Sequence, residues 1–254
     1  MHYADNYRET RAHLLVHSAR TGLHTIPQAL ADDYDALMQA IEDGQGGTGR
    51  WLSPEAEQRA EKLARPLWTI GPYGGTAGII TDHIAPAVRQ TLDDLRAGLT
   101  ATGPWGRQIS PSLAMLELPD DTRAAIIQVH ASCAAYGKLR GMWAELRGGG
   151  AHDRSMTPGT DPRGADSILG EVRNINDLVP AWRLAGTAGN EPWPWNSSDH
   201  SRLCWLIDNG AEFWTPTADQ HDARWRALDH ADREARRTTH ARRPVGASGI
   251  SAAA

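Results

Sequence analysis

Phenylalanine is nearly missing from this 254-residue chain: Phe213 is the only one. Cysteine is almost as scarce, and Cys133 and Cys204 alone exclude the disulfide framework of a small secreted domain. Lysine is limited to Lys62 and Lys138, so nearly all of the 26 basic residues are arginine. No apolar run approaches the roughly 20 residues needed to cross a bilayer. The opening Met1-His-Tyr-Ala-Asp-Asn-Tyr-Arg-Glu lacks the apolar segment of a secretory signal. A cytoplasmic location without membrane association is the resulting expectation. A net charge of −5 excludes a global electrostatic pull toward nucleic acid or anionic lipid. Strand signals are also rare: only Trp68-Thr-Ile and the stretch around Gln108-Ile-Ser could extend, and neither alternates for long.

What the chain does have is helical periodicity. Residues 5–20 place Ala12, Leu15, Val16 and Ala19 on one side. Pro27 opens a second helix with Leu30, Tyr34, Leu37, Met38 and Ile41 in register and Gly44 past its end. Ser53-Pro54-Glu55 is a start signal, with an N-cap hydroxyl, proline at the first helical position and acids facing the dipole. The clearest stripe is Ile84, Val88, Leu92, Leu95 and Leu99. A helix over 120–147 carries Ala125, Val129, Tyr136, Trp143 and Leu146 on one face. Met142 points elsewhere, so the helix should be covered on more than one side. Its waist, Ala131-Ser-Cys-Ala-Ala-Tyr-Gly, is small enough for neighbours to come close. Further helices are expected over 166–179, 199–214 and 217–241. The glycine cluster Gly71-Pro-Tyr-Gly-Gly-Thr-Ala-Gly lacks a P-loop lysine, and reads as a tight connection requiring positive φ.

The expected fold is all-α, a multi-helix bundle of roughly eight helices with a long Gly/Pro-rich loop near 148–164. That loop would divide a helical unit at 1–147 from a Trp-rich helical unit at 165–243, the two packing as one domain or as separate ones. Residues 244–254 would form a flexible tail.

Six of the ten tryptophans fall between Trp182 and Trp225. Tryptophan buries a large area and brings an N–H that wants a partner, so it either fills a core or anchors a ligand. Trp205 falls on the polar side of its helix, beside Arg202, Asp208, Asn209 and Glu212, with Trp193-Pro-Trp195 shortly before it. Arg236, Arg237, Arg242 and Arg243 add a basic end without an acid among them, suited to charge-assisted contacts or to the helix C-terminal dipole. These residues point to a non-catalytic binding or accessory protein that engages a partner through its C-terminal third. A protein partner fits the acidic chain better than a nucleic acid does, and a homo-oligomer is a further option. No catalytic residue stands out.

The alternative is a metal centre. His130 precedes Cys133 by three residues and His200 precedes Cys204 by four, so each pair shares a helix face. Facing each other, the two helices would supply a Cys2His2 tetrahedron, the donor set that suits zinc; no other cofactor is expected. Four protein ligands would close the coordination sphere and favour a structural role, whereas a metal-dependent enzyme would leave one position to water. The His13/His17 pair reads instead as a solvated polar face.

Overall fold

The computed structural model describes residues 10–45, 52–108, 117–147, 168–182, 193–195 and 198–241. The predicted loop at 148–164, the tail at 244–254 and the first turn of the 5–20 helix lie outside the described residues. The chain divides into two compact units, Met1–Thr217 and Ala218–Ala254.

In the first unit, α1 (Arg11–Arg20) buries Ala12, Leu15 and Val16. α2 (Gln28–Gly44) buries Leu30, Tyr34, Leu37 and Ile41, and runs through Gly44 rather than stopping before it. α3 (Pro54–Thr69) starts as its sequence requires, with the Ser53 hydroxyl accepting the Ala56 N–H at 3.2 Å. It also takes in Trp68 and Thr69, so that segment is not extended. The helix closes at Ile70, whose φ of 57° is left-handed and unusual for a β-branched residue. Ile70 is fully buried, and its side-chain burial offsets the backbone cost.

Gly74 and Gly75 follow with φ of 95° and 65°, the positive values expected of the glycine cluster. They lead into α4 (Gly75–Ile79), a π-turn over Ile80–Ile84, and α5 (Ala85–Thr102). Pro86 explains the widened turn: it has no N–H to give, and its ring would collide with the carbonyl four residues back in an α-helix. Val88, Leu92, Leu95 and Leu99 form the buried stripe of α5, as their spacing predicts.

α5 packs along α6 (Asp120–Arg147), the longest helix of this unit. At Gly98 a Cβ would lie 2.7 Å from Val129 Cγ2, so glycine permits that close approach. α6 buries Ile126, Val129, Cys133, Tyr136, Leu139, Met142, Trp143 and Leu146, on more than one face, while Ile127 is exposed. Among the described residues there is no strand, only isolated bridges between Gln45 and Leu52 and between Val172 and Phe213. The protein is all-α.

The predicted 166–179 helix does not form as such. Residues 168–169 are helical, but the chain then turns, Val172 bridges to Phe213, and α7 (Ile175–Leu178) follows as a separate short helix. The reason lies in the partners of the backbone: Arg173 N–H donates to Glu212 O at 2.8 Å, and Trp214 N–H to Glu171 O at 3.0 Å. Likewise α8 (Asp199–Asp208) ends before its predicted limit, because Gly210 takes φ of 72° and turns the chain into that bridge. In the second unit, α9 (Ala218–Ala241) carries mostly exposed side chains, as its charge density requires, with an ion pair between Arg233 and Asp229.

The C-terminal segments of the first unit are held to α6 by a buried polar cluster. Glu171 is fully buried. It accepts a hydrogen bond from Tyr136 OH at 2.8 Å and a charged one from Arg202, which also reaches Asp199 at 3.0 Å. Burial, then the Glu171 charge, pushes the Tyr136 phenol well above its ordinary range, so it remains a donor. Arg140 lies over the Trp143 ring at 4.0 Å and donates to Trp214 O at 3.3 Å. Desolvation pulls its guanidinium down, against the opposing Tyr136 and Glu171 contributions. Glu171 thus pairs directly with Arg202 and adds a favourable charge near Arg140. Glu171→Gln is expected to cost about 3–5 kcal/mol, the range for removing one partner of a buried ion pair. Urea unfolding measures it, and a loss below about 1 kcal/mol would show that the cluster does not carry the C-terminal packing.

Candidate functional site

Six of the ten tryptophans fall into two groups. Trp143, Trp182 and Trp214 serve the core, and each indole N–H has a carbonyl acceptor: Pro216 O at 2.6 Å, Asn176 Oδ1 at 2.6 Å and Leu169 O at 3.0 Å respectively. Trp193, Trp195 and Trp205 form a half-buried ladder. Trp193 and Trp195 stack with centroids 5.0 Å apart and planes at 17°, and Trp195 meets Trp205 at 5.2 Å and 53°. The short spacing of Trp193 and Trp195 around Pro194 brings their rings together, and α8 presents Trp205 to them. Trp205 is therefore partly covered by Trp195 and partly open. Pro194, between the first two, is exposed.

Among the described residues, two arginines on or in contact with α8 are already engaged. Arg202 pairs with Glu171 and Asp199. Arg107 forms a two-pronged contact with Asp208, at 2.8 Å from Nε and 2.5 Å from Nη2, and caps the α5 end through Gly103 O at 2.7 Å. Of the predicted basic contacts, Arg237 is exposed on α9. The Arg236 side chain and all of Arg242 and Arg243 lie outside the described residues.

The four predicted metal ligands come to one helix crossing. The N-terminal turn of α8 meets the small-residue waist of α6: His130 and His200 stack with centroids 4.6 Å apart and planes at 24°. A Cβ on Gly137 would sit 3.9 Å from Asp199 Oδ2, an ordinary van der Waals contact, so Gly137 lies close to α8 without glycine being required there. His200 Nε2 lies 2.9 Å from Gly106 O and so donates to it, leaving Nδ1 with a lone pair that is buried and unpartnered. His130 Nε2 is likewise buried and unpartnered. Cys133 and Cys204 are buried free thiols. Desolvation, with Cys204 and Asp199 adding to it, pushes Cys133 up to about 12. Desolvation likewise pushes Cys204 up to about 11, against the opposing charge of Arg107. Both are protonated and unreactive at neutral pH in this setting. Among the described residues no three His, Cys, Asp or Glu side chains stand converged on one metal position.

His13 and His17 are solvent-exposed, as their place on α1 predicts, with stacked rings 6.1 Å apart. His13 Nδ1 also meets Tyr34 OH at 2.6 Å. The Glu171 cluster, in contrast, was not anticipated from the sequence. Its signal was a lone acid within Ile168-Leu-Gly-Glu-Val, a stretch otherwise without charge. No helix among the described residues is long and apolar enough to cross a membrane. Comparison with known proteins supplies no relative: no family model, no curated protein and no solved structure matches the chain.

The histidines set a pH dependence. Burial, then the neighbouring His130, lowers the His200 pKa from 6.5, and burial also lowers that of His24. The unfolded chain therefore binds more protons than the folded one once pH falls through 6.5. Stability is full above that value and is lost as pH falls toward the folded-state pKa values. The urea midpoint is expected to drop between about pH 7 and 5, and His24→Gln/His200→Gln is expected to flatten that slope. A slope unchanged in the double variant would assign the acid sensitivity to other groups.

Proposed function

We infer that this is a non-catalytic binding or accessory protein that captures a protein partner through the aromatic ladder of Trp193, Trp195 and Trp205. The observation that carries this reading is the contrast between the two groups of tryptophan. Three are used up in the core with their N–H groups satisfied, whereas the ladder keeps part of its stacked surface open to solvent. Stacked, half-buried tryptophans lose little side-chain entropy on binding and present a broad apolar face, the character of an interface hot spot.

A protein favours this face over a nucleic acid on electrostatic grounds. Bases could stack on the indoles, but a phosphate backbone needs uncommitted cations beside them. Arg202 and Arg107 are committed to carboxylates, to Glu171 and Asp199 and to Asp208 respectively, and Glu212 adds negative charge past the end of the helix. Arg236, Arg237, Arg242 and Arg243, which belong to the second unit, would add charge-assisted contacts of their own to a partner.

The test places a photo-crosslinking residue at the exposed Pro194 and compares otherwise identical proteins with and without Trp195→Ala. A protein adduct that disappears in the variant, with an unchanged melting temperature and about 30-fold weaker binding of the recovered partner, is the expected result. An adduct to a second copy of the chain would make the face a homo-oligomer interface. Quenching of the ladder by an oligonucleotide, lost on Trp195→Ala, would overturn the protein reading in favour of nucleic acid. A large fall in melting temperature would make the ladder part of the core.

A further inference from the structure

The long helix α6 keeps one face turned to solvent. Ala124, Ile127, Ala131, Ala134 and Gly141 are all exposed, and at about 100° per residue they fall on one side of the helix. Ile127 is 69% exposed, more than any other large hydrophobic side chain among the described residues. We propose that this face pairs with the same face of a second copy of the chain, the two α6 helices crossing antiparallel about a two-fold axis at Ala134.

Two residues on this face serve no contact within their own chain, and they fit each other. Glycine weakens a helix interior relative to alanine. A Cβ built on Gly141 meets nothing within 4 Å, so no neighbour inside the chain calls for its absence. Gly98 is the contrast, since a Cβ there would strike Val129. Ile127 is the complement of Gly141, a bulky apolar side chain standing in water. In a two-fold interface one surface patch meets itself, so a residue before the axis faces one equally far beyond it. Ile127 lies seven residues before Ala134 and Gly141 seven after. Seven residues is close to two whole turns, which keeps both on the contact face. Each isoleucine then fills the open space over the glycine of the other copy, and the contact is made twice.

Charge follows the same symmetry. Arg123 and Glu145 lie eleven residues on either side of Ala134, close to three turns, at the two ends of the face. Antiparallel pairing sets Arg123 of each copy against Glu145 of the other, whereas parallel pairing sets like against like. Arg123 already pairs with Asp120 on its own chain, and a guanidinium has donors for a second carboxylate. Lys138 falls on the same face, where its stem can lie along the copy while the ammonium stays in water. The alanines let the two axes approach to about 8 Å, the close end of the helix-packing range. One helix pair buries less than the roughly 1,200 Å² at which stable interfaces begin, so the dimer is a weak one, with a dissociation constant on the order of 10 μM. None of this draws on Trp193, Trp195 or Trp205, so the interface is separate from the aromatic ladder.

Sedimentation equilibrium of the full chain under reducing conditions tests the pairing. The expected result is a monomer–dimer equilibrium that Ile127→Gln and Gly141→Gln each weaken by about tenfold or more. The urea midpoint in dilute solution should stay unchanged for Ile127→Gln and rise for Gly141→Gln, because the monomer has open space at that position and gains helix propensity. Arg123→Glu and Glu145→Arg should each dissociate the dimer by setting like charges together. An equimolar mixture of those two variants should regain it, since both contacts of the mixed pair are again of opposite sign. Misfolding of a single variant does not produce that recovery. A chain that stays monomeric well above the micromolar range overturns the proposal, and so does a mixture that fails to recover. A dimer indifferent to Ile127→Gln and Gly141→Gln but lost on Trp195→Ala overturns it as well, and would place the interface on the ladder.

Discussion

The C-terminal part of the first unit depends on one buried carboxylate. Glu171 takes the Tyr136 hydroxyl from α6 and the Arg202 guanidinium from α8, while its backbone carbonyl takes the Trp214 N–H. Three segments far apart in sequence are thereby fixed to a single residue with no exposure to solvent. An apolar residue in its place would leave the buried Arg140 without its neighbouring anion and Arg202 with Asp199 alone, so charge balance, as well as apolar area, sets the packing here. This also explains why the region forms so little regular helix: the backbone groups around Glu171 are spent on the Phe213 bridge.

That arrangement decides which tryptophans are core. Trp143 sits under Arg140 and Arg147, at 4.0 and 4.7 Å from their guanidinium carbons, and Gly170 has to be glycine because a Cβ would fall 2.3 Å from the indole. Trp214 is held over by Arg173 at 5.0 Å and donates its N–H to Leu169 O. Large flat rings bridge the gaps that short, irregular segments leave against α6, and at these positions the indole N–H finds an acceptor that phenylalanine could not use. The ladder at Trp193, Trp195 and Trp205 lies outside this scheme, its rings supported by one another rather than by arginine.

Much of this was legible in the sequence where periodicity and capping act locally. Val88, Leu92, Leu95 and Leu99 fall on the buried face of α5 because a 3.6-residue repeat admits no other outcome, and Ser53-Pro54 starts α3 because cap chemistry is local. The meeting of His130 with His200 was also foreseeable, since both lie on faces that must turn inward. Residues 166–179 read as one continuous helix because Ile168, Val172, Ile175 and Val179 keep helical spacing, while Glu171 and Arg173 between them pair their backbone with Trp214 and Glu212, some forty residues further on. Long-range bridging of that kind leaves no periodic trace. The Glu171 cluster was hidden for a related reason: a lone acid in an apolar run reveals that it needs partners, not which ones.

α8 brings these constraints onto ten residues. At about 100° per residue, His200 and Cys204 face α6, Trp205 lies about 140° round from His200, and Arg202 occupies the sector beyond it. One face meets the histidine stack, one the buried carboxylate and one the open ladder. A helix this short has no slack to rotate one face without moving the others. Its N-cap bond from Ser201 N–H to the Ser198 hydroxyl, and the Arg107–Asp208 contact near its end, hold both termini against rotation. Trp205 is therefore presented at an angle fixed by Glu171 and by the His130–His200 contact. A partner that engages the ladder binds a surface whose orientation is set from inside the fold, so the ordering cost of positioning that indole is met during folding rather than on binding.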